Sequence, residues 1–182
     1  TEPLLVTATI GGLTAWNLTT GQKAYHLGDN RWAAFNCDGR FLASAKGRVL
    51  TIRDARTGEA RHTVKANVEL ISNWAFSSDG TRLATCGAVA GSNAEGAVQV
   101  WDVATGEPVC EPRTFDHPIL FLNYTAGDRL LLAHFSGFLE VDPELRHVRG
   151  AIDVPQAATM RFAVNRVGYV AYSAPDCTVR VW

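Results

Sequence analysis

VQVWDVATGEP, running from Val98 to Pro108, decides the fold, because the chain writes this phrase more than once. TAWNLTTGQK (Thr14 to Lys23) and LTIRDARTGEA (Leu50 to Ala60) are variants of it, while LEVD (Leu139 to Asp142) and VRVW (Val179 to Trp182) are fragments. Aligned, they set Trp16, Arg53, Trp101, Val141 and Trp182 in one column, with spacings of 37, 48, 40 and 41 residues. A second phrase keeps the same measure: FNCDG from Phe35, FSSDG from Phe76, YTAGD from Tyr124 and VNRVG from Val164 are separated by 41, 48 and 40. Both series lengthen in the same unit, where AVAGSNAEGA (Ala88 to Ala97) supplies the surplus as one inserted loop. A fixed period of tens of residues marks a repeat architecture.

Within each unit, apolar and β-branched runs of four to eight residues alternate with turn chemistry, the pattern of short strands. In the best-preserved unit, ELISNWAFS reads as a first strand, Arg82 to Val89 as a second, Ala97 to Val103 as a third and the stretch from Pro108 to Phe115 as a fourth. Asp79 and Gly80 form the first turn, since an Asp can hydrogen-bond the backbone and Gly accepts positive φ; Gly106 serves the same purpose after Asp102. Nothing sustains an apolar 3.6-residue period for the length of an average helix. FLASA (from Phe41), RLATCGAV (from Arg82) and RLLLAHF (from Arg129) are nearly continuous apolar runs, as expected of strands covered on both faces. A four-stranded unit is too small to bury both faces alone, so the units must stack, and radial stacking into a propeller satisfies the period.

Composition narrows the function classes. The chain of 182 residues is 47% hydrophobic and 19% charged with net charge −1, an ordinary globular balance with no overall basic field for nucleic acid or an anionic membrane. Charge is uneven, since eight Lys and Arg against three acids lie between Arg31 and Lys65. That segment reads first as ordinary solvated β-surface; the alternatives are a patch that meets an acidic partner, or nucleic acid bound with steep salt dependence. No apolar run reaches the ~18 residues of a membrane span. Cys37, Cys86, Cys110 and Cys177 lack metal-ligand spacing and read as reduced structural thiols, which favours a cytoplasmic setting. His26, His62, His117, His134 and His147 are scattered, none beside a nucleophile, and no catalytic residue, metal site or cofactor site is expected. GAVAGSNAEG lacks the Gly-Lys-Ser/Thr that grips phosphate and reads as a flexible loop between strands.

The wording FSSDGTRLATCG followed by VQVWDVATGEPV resembles the WD-repeat (WD40) β-propellers, whose unit of ~40 to 45 residues ends near a Trp-Asp. It is similar in particular to the repeats of bacterial multidomain proteins in which such arrays accompany a kinase or signalling module. The resemblance covers essentially residues 1–182. It implies an all-β fold of four to five blades of four antiparallel strands, with repeat ends near 16, 53, 101, 141 and 182, forming part of a larger, seven-bladed ring. The family's stiffening tetrad of His, Ser or Thr, Asp and Trp is complete in no unit. His26 and Ser44 face Arg53 in the Trp column, Thr85 and Glu95 accompany Trp101 with Asn67 in the His position, and Ser173, Asp176 and Trp182 lack a His. The blades are therefore expected to be held mainly by apolar packing.

The resemblance further implies a non-enzymatic protein–protein interaction scaffold whose partner, a protein or another domain of the parent chain, docks on the loops before the first strands and between the second and third. Arg31, Lys46, Asn93, Glu95, His117 and Arg161 are the candidate partner-binding residues, with Asp29, Asn30 and Thr159 nearby. Trp16, Trp101, Asp102, Trp182, Asp79, Gly80 and Gly106 are the structural repeat positions. The alternative is a small-ligand or enzymatic propeller using the central channel. Trp32 and Trp74 fall in consecutive first strands one register apart, so they cannot both point the same way; the favoured reading puts both in the core, and the alternative exposes one of them at the mouth.

Overall fold

The computed structural model describes residues 3–28, 32–92, 94–125, 127–153, 162–164, 170–173 and 179–181, with backbone pairing alone from residue 152 onward. It is all-β, and no helix occurs among the described residues. Strands β1 (Leu4–Thr9), β2 (Gly12–Asn17) and β3 (Lys23–Leu27) form a first antiparallel sheet. The second comprises β4 (Ala33–Phe35), β5 (Phe41–Lys46), β6 (Val49–Asp54) and β7 (Ala60–Lys65). The third comprises β8 (Leu70–Phe76), β9 (Arg82–Ala88), β10 (Gly96–Asp102) and β11 (Arg113–Phe115). The fourth comprises β12 (Phe121–Tyr124), β13 (Leu130–His134), β14 (Gly137–Val141) and β15 (Val148–Asp153), and β16 (Phe162–Val164), β17 (Val170–Ser173) and β18 (Val179–Val181) make a fifth. Three of the five described sheets thus have four strands, and the first and fifth have three.

Each sheet is a meander of consecutive strands, and β4, β8 and β12 lie beside one another in succession. This arrangement is compatible with a propeller. The period of two along each strand sends alternate side chains to opposite neighbours. From the third sheet, Leu83, Ala97 and Trp101 join Ala43, Leu50, Ile52 and Val64 of the second. Ala84, Cys86, Val98 and Val100 join Leu122, Leu130, Leu132 and Val141 of the fourth. The apolar runs are therefore buried on both faces, with β13 buried along its entire length.

The repeated phrase is one structural device. Trp16 pairs with Leu5, Arg53 with Leu42, Trp101 with Leu83 and Val141 with Leu130, so the aligned column occupies one register. At or just before this residue the pairing with the fourth strand slips, between Ala15 and Trp16, Ile52 and Arg53, and Glu140 and Val141. Such a slip is a bulge that strengthens local twist. The next residue caps the following turn. Asn17 Oδ1 accepts from the N–H groups of Thr19 and Thr20 at 2.8 and 3.0 Å, Asp54 from Arg56 and Thr57 at 3.0 and 3.1 Å, and Asp102 from Ala104 and Thr105 at 2.9 and 2.8 Å. The turn closes through Gly21, Gly58 or Gly106, with φ of 69°, 76° and 74°.

These aspartates make a pH prediction. The Thr105 N–H first, with the Thr105 hydroxyl and the Ala104 N–H, holds the Asp102 carboxyl below the ordinary carboxylate range. Because the folded pKa is the lower one, its stabilisation is present above the unfolded value of about 3.9 and is lost as pH falls toward the folded value. Asn17 shows that an amide can cap the same turn. Asp102→Asn is therefore expected to fold normally at neutral pH and to flatten the acid limb of stability measured by urea titration; an unchanged acid limb would remove Asp102 from the pH response.

The second repeated phrase forms the opposite turns. Gly39 and Gly80 have φ of 70° and 72°, and Asp128 takes this position at 54°, which is how YTAGD replaces the DG order. The hydroxyls of Ser77 and Thr81 and the Thr81 N–H all donate to Asp79. These turns meet across sheets: Ser78 donates from Oγ to Asp128 Oδ1 at 2.6 Å, and Gly80 abuts Asn36.

The structure departs from these expectations, or adds to them, in the following places. The fourth strand of the third sheet is β11 alone, reached after an isolated bridge between Trp101 and Pro108. Pro108 and Pro112 have no N–H to donate to a ladder. Hydroxyl bonds supplement apolar packing: Trp16 Nε1 donates to Thr7 Oγ1 at 3.0 Å, Trp101 Nε1 to Thr85 Oγ1 at 3.1 Å, and Arg53 Nε to Ser44 Oγ at 3.4 Å. Arginine thus supplies the N–H that tryptophan supplies elsewhere. His26 pairs with Thr14 at 3.0 Å, within its own sheet rather than with Ser44, and Glu95 is exposed on a loop, away from Thr85. Trp32 precedes β4 and is 73% exposed, whereas Trp74 lies half-buried in β8 against the core between the second and third sheets.

Candidate interaction face

The register fixes which loops share an end of the strands. Lys46 is paired with Val49, and Val49 with Lys65, so the end of β5, the start of β6 and the end of β7 lie together. Leu70 pairs with Ala88 and Gly96 with Phe115, which puts the start of β8, the loop from Val89 to Glu95 and the end of β11 at the corresponding end of the third sheet. Backbone bonds tie the two groups: Ile71 donates to the Gly47 carbonyl, Ala66 to that of Arg48, and Glu69 to that of Ala88, each at 2.9 Å. Toward the fourth sheet, Ser72 Oγ donates to the Ile119 carbonyl at 3.0 Å. The result is one rim built from the turns between second and third strands and the crossings from each sheet to the next.

Of the candidate residues, Lys46, Glu95 and His117 stand exposed on this rim. Arg31, Asn93, Arg161 and Trp182 lie outside the described residues, as do Asp29, Asn30 and Thr159. Ile10, Trp32, Leu70 and Phe135, 94, 73, 58 and 43% exposed, occupy the turns or strand starts at this end of the first four sheets. The inserted loop closes on itself, with the Val89 N–H donating to Glu95 O at 3.0 Å and Ser92 to Val89 O at 3.1 Å.

The histidines are not all scattered. The His117 ring stacks on that of His134, with centroids 5.1 Å apart and planes inclined by 10°. His134 is buried near the end of β13, and its Nδ1 accepts from the Ser136 N–H at 3.3 Å. Seventeen residues and a change of sheet separate the two rings, so only the stacking of sheets brings them together.

A cavity of about 480 Å³ opens along the first strands, lined by Phe35, Asn73, Trp74, Phe121, Asn123 and Tyr124 among others. Asn73 Oδ1 accepts from the Leu122 N–H at 3.3 Å and ties β8 to β12 beneath it. Of the thiols, burial pushes Cys86 up to about 12 and raises Cys110 as well, so neither is poised as a nucleophile at neutral pH. No helix of the described residues is long and apolar enough to cross a membrane. Compared with known proteins, the chain matches no family model and no curated sequence.

Proposed function

We propose that the chain is a run of WD-type propeller blades that works as a non-enzymatic protein–protein interaction scaffold, docking a protein, or another domain of its parent chain, on the loop-built rim. The observation that carries this is the gathering of exposed Ile10, Trp32, Leu70 and Phe135 at the same end of successive sheets, interspersed with Lys46, Glu95 and His117. Apolar anchors within a polar rim are the composition of a recognition surface. A larger ring is supported by Leu5 and Trp16, the counterparts of buried Leu83 and Trp101, which are 47 and 36% exposed on a face another blade would cover.

Photo-crosslinking side chains placed at Glu95 and His117, and as controls at Thr105 and Asp128 on the opposite rim, test the docking face in the native cell. Discrete adducts from the first pair and none from the second are expected. Equal labelling from both rims would sink it. The second reading, a small ligand in the central channel, is favoured by the 480 Å³ cavity between first strands and predicts thermal stabilisation by a ligand that Asn123→Trp abolishes.

A further inference from the structure

On the second sheet the rim concentrates charge and apolar surface in a way that specifies a partner's chemistry. Lys46 ends β5, Arg48 follows Gly47 in the turn, and Lys65 ends β7 opposite Val49; all three are exposed. Trp32 immediately precedes Ala33, which pairs with Ser44, so it enters the sheet at the same end as Lys46. Leu70 arrives from the third sheet, because the Ile71 N–H is bonded to the carbonyl of Gly47, between the two basic residues of the turn. Two large apolar side chains, 73 and 58% exposed, therefore share the end of the sheet with a short basic ridge.

We propose that this ridge binds a short acidic peptide segment carrying a large apolar side chain. Carboxylates of such a segment would meet Lys46, Arg48 and Lys65, while its apolar residue would remove Trp32 and Leu70 from water. Complementary charge steers encounter and fixes register, and a central tryptophan supplies the desolvated anchor. A continuous polyanion is a poorer fit. Exposed Glu69 lies beside Leu70, and Glu95 lies on the next loop of the same rim, so a phosphate backbone running past the ridge would meet acids within one sheet's width. A peptide can place its few carboxylates over the basic residues and turn away.

The inference rests on the scaffold reading above, and its test separates the two. A fluorescent synthetic peptide of Asp and Glu around one Leu is titrated into the full chain and followed by anisotropy. Binding is expected to weaken with added salt, and to fall at least about tenfold in Lys46→Glu/Arg48→Glu and in Trp32→Ala, with melting unchanged. The same peptide with Asn and Gln in place of its acids is expected to bind at least about tenfold more weakly. Equal binding by the neutral peptide, or by the folded double variant, overturns the proposal. So does tighter binding of an oligodeoxynucleotide of equal charge, which would assign the ridge to nucleic acid. Adducts at Glu95 and His117 without peptide binding would remove the acidic ligand and leave the scaffold standing; peptide binding confined to the ridge with no adducts from either rim would do the reverse.

Discussion

Replacing Trp101 with alanine is expected to lower the free energy of unfolding by about 3 to 5 kcal/mol, the cost of a large core truncation. Trp101 is 5% exposed and belongs to the core shared by the second and third sheets, with Leu50, Ile52, Leu83 and Val103. The substitution opens a cavity between two sheets, and it also leaves the Thr85 hydroxyl, buried at 1% exposure, without its indole donor. Trp101→Phe separates the contributions. It keeps most of the apolar contact and loses the hydrogen bond, so it is expected to cost about 1 kcal/mol. The same truncation at Trp16, 36% exposed, has far less burial to lose and serves as the comparison. Urea denaturation followed by far-ultraviolet dichroism reads all three. A loss below about 1 kcal/mol for Trp101→Ala would mean that this side chain does not bridge the sheets.

Gly87→Val is expected to destabilise by about 3 kcal/mol, the upper part of the range for overpacking. Gly87 is buried in β9, and a Cβ built there would run into the Leu70 carbonyl and lie 3.1 Å from Val68 Cβ. The obstacle is backbone, which cannot rotate away as a side-chain end could. Relief would require β8 to part from β9 where Ile71 pairs with Gly87, next to the bulge at Ser72. That bulge sends Ser72 to Ile119, so the damage would spread to the crossing into the fourth sheet. Gly150→Ala on β15, where a Cβ meets nothing within 4 Å, is the control and is expected to change stability by less than about 0.5 kcal/mol. Equal melting temperatures for the two variants would show that the close approach of β8 and β9 does not constrain residue 87.

Features governed by local spacing were legible in the sequence. The column through Trp16, Arg53, Trp101 and Val141 occupies one register because the turn that follows each member is built from residues within six positions of it. Features requiring two sheets were not. The His117 and His134 stack depends on how the crossing after β11 seats against β13, which no periodicity encodes. Trp32 was misplaced because β4 is only three residues long and begins one residue after it, so alternation had too few positions to reveal its direction. Arg53 looked like a lapse in the column; its Nε and Nη1, bonded to Ser44 Oγ and Gly58 O, do the work of an indole with different chemistry. That the loops before the first strands and between the second and third share one end of the sheets could be read from the repeat, whereas the apolar side chains rising among them depend on how the sheets pack and carry no periodic signal.

Two glycines of the repeated turn also set the spacing between neighbouring sheets. A Cβ on Gly58 would strike the ring of Tyr25, 2.7 Å from its Cδ2, and a Cβ on Gly106 would strike His62 at 2.8 Å, each residue belonging to the last strand of the preceding sheet. Tyr25 also donates its hydroxyl to the Ala55 carbonyl at 2.6 Å, a bond the imidazole of His62 has no hydroxyl to make. At these two junctions one unit is therefore fitted to the one before it, like a ward cut for its key. A side chain at either glycine would hold the two sheets apart, so the bare turn sets how closely neighbouring units can approach at both junctions.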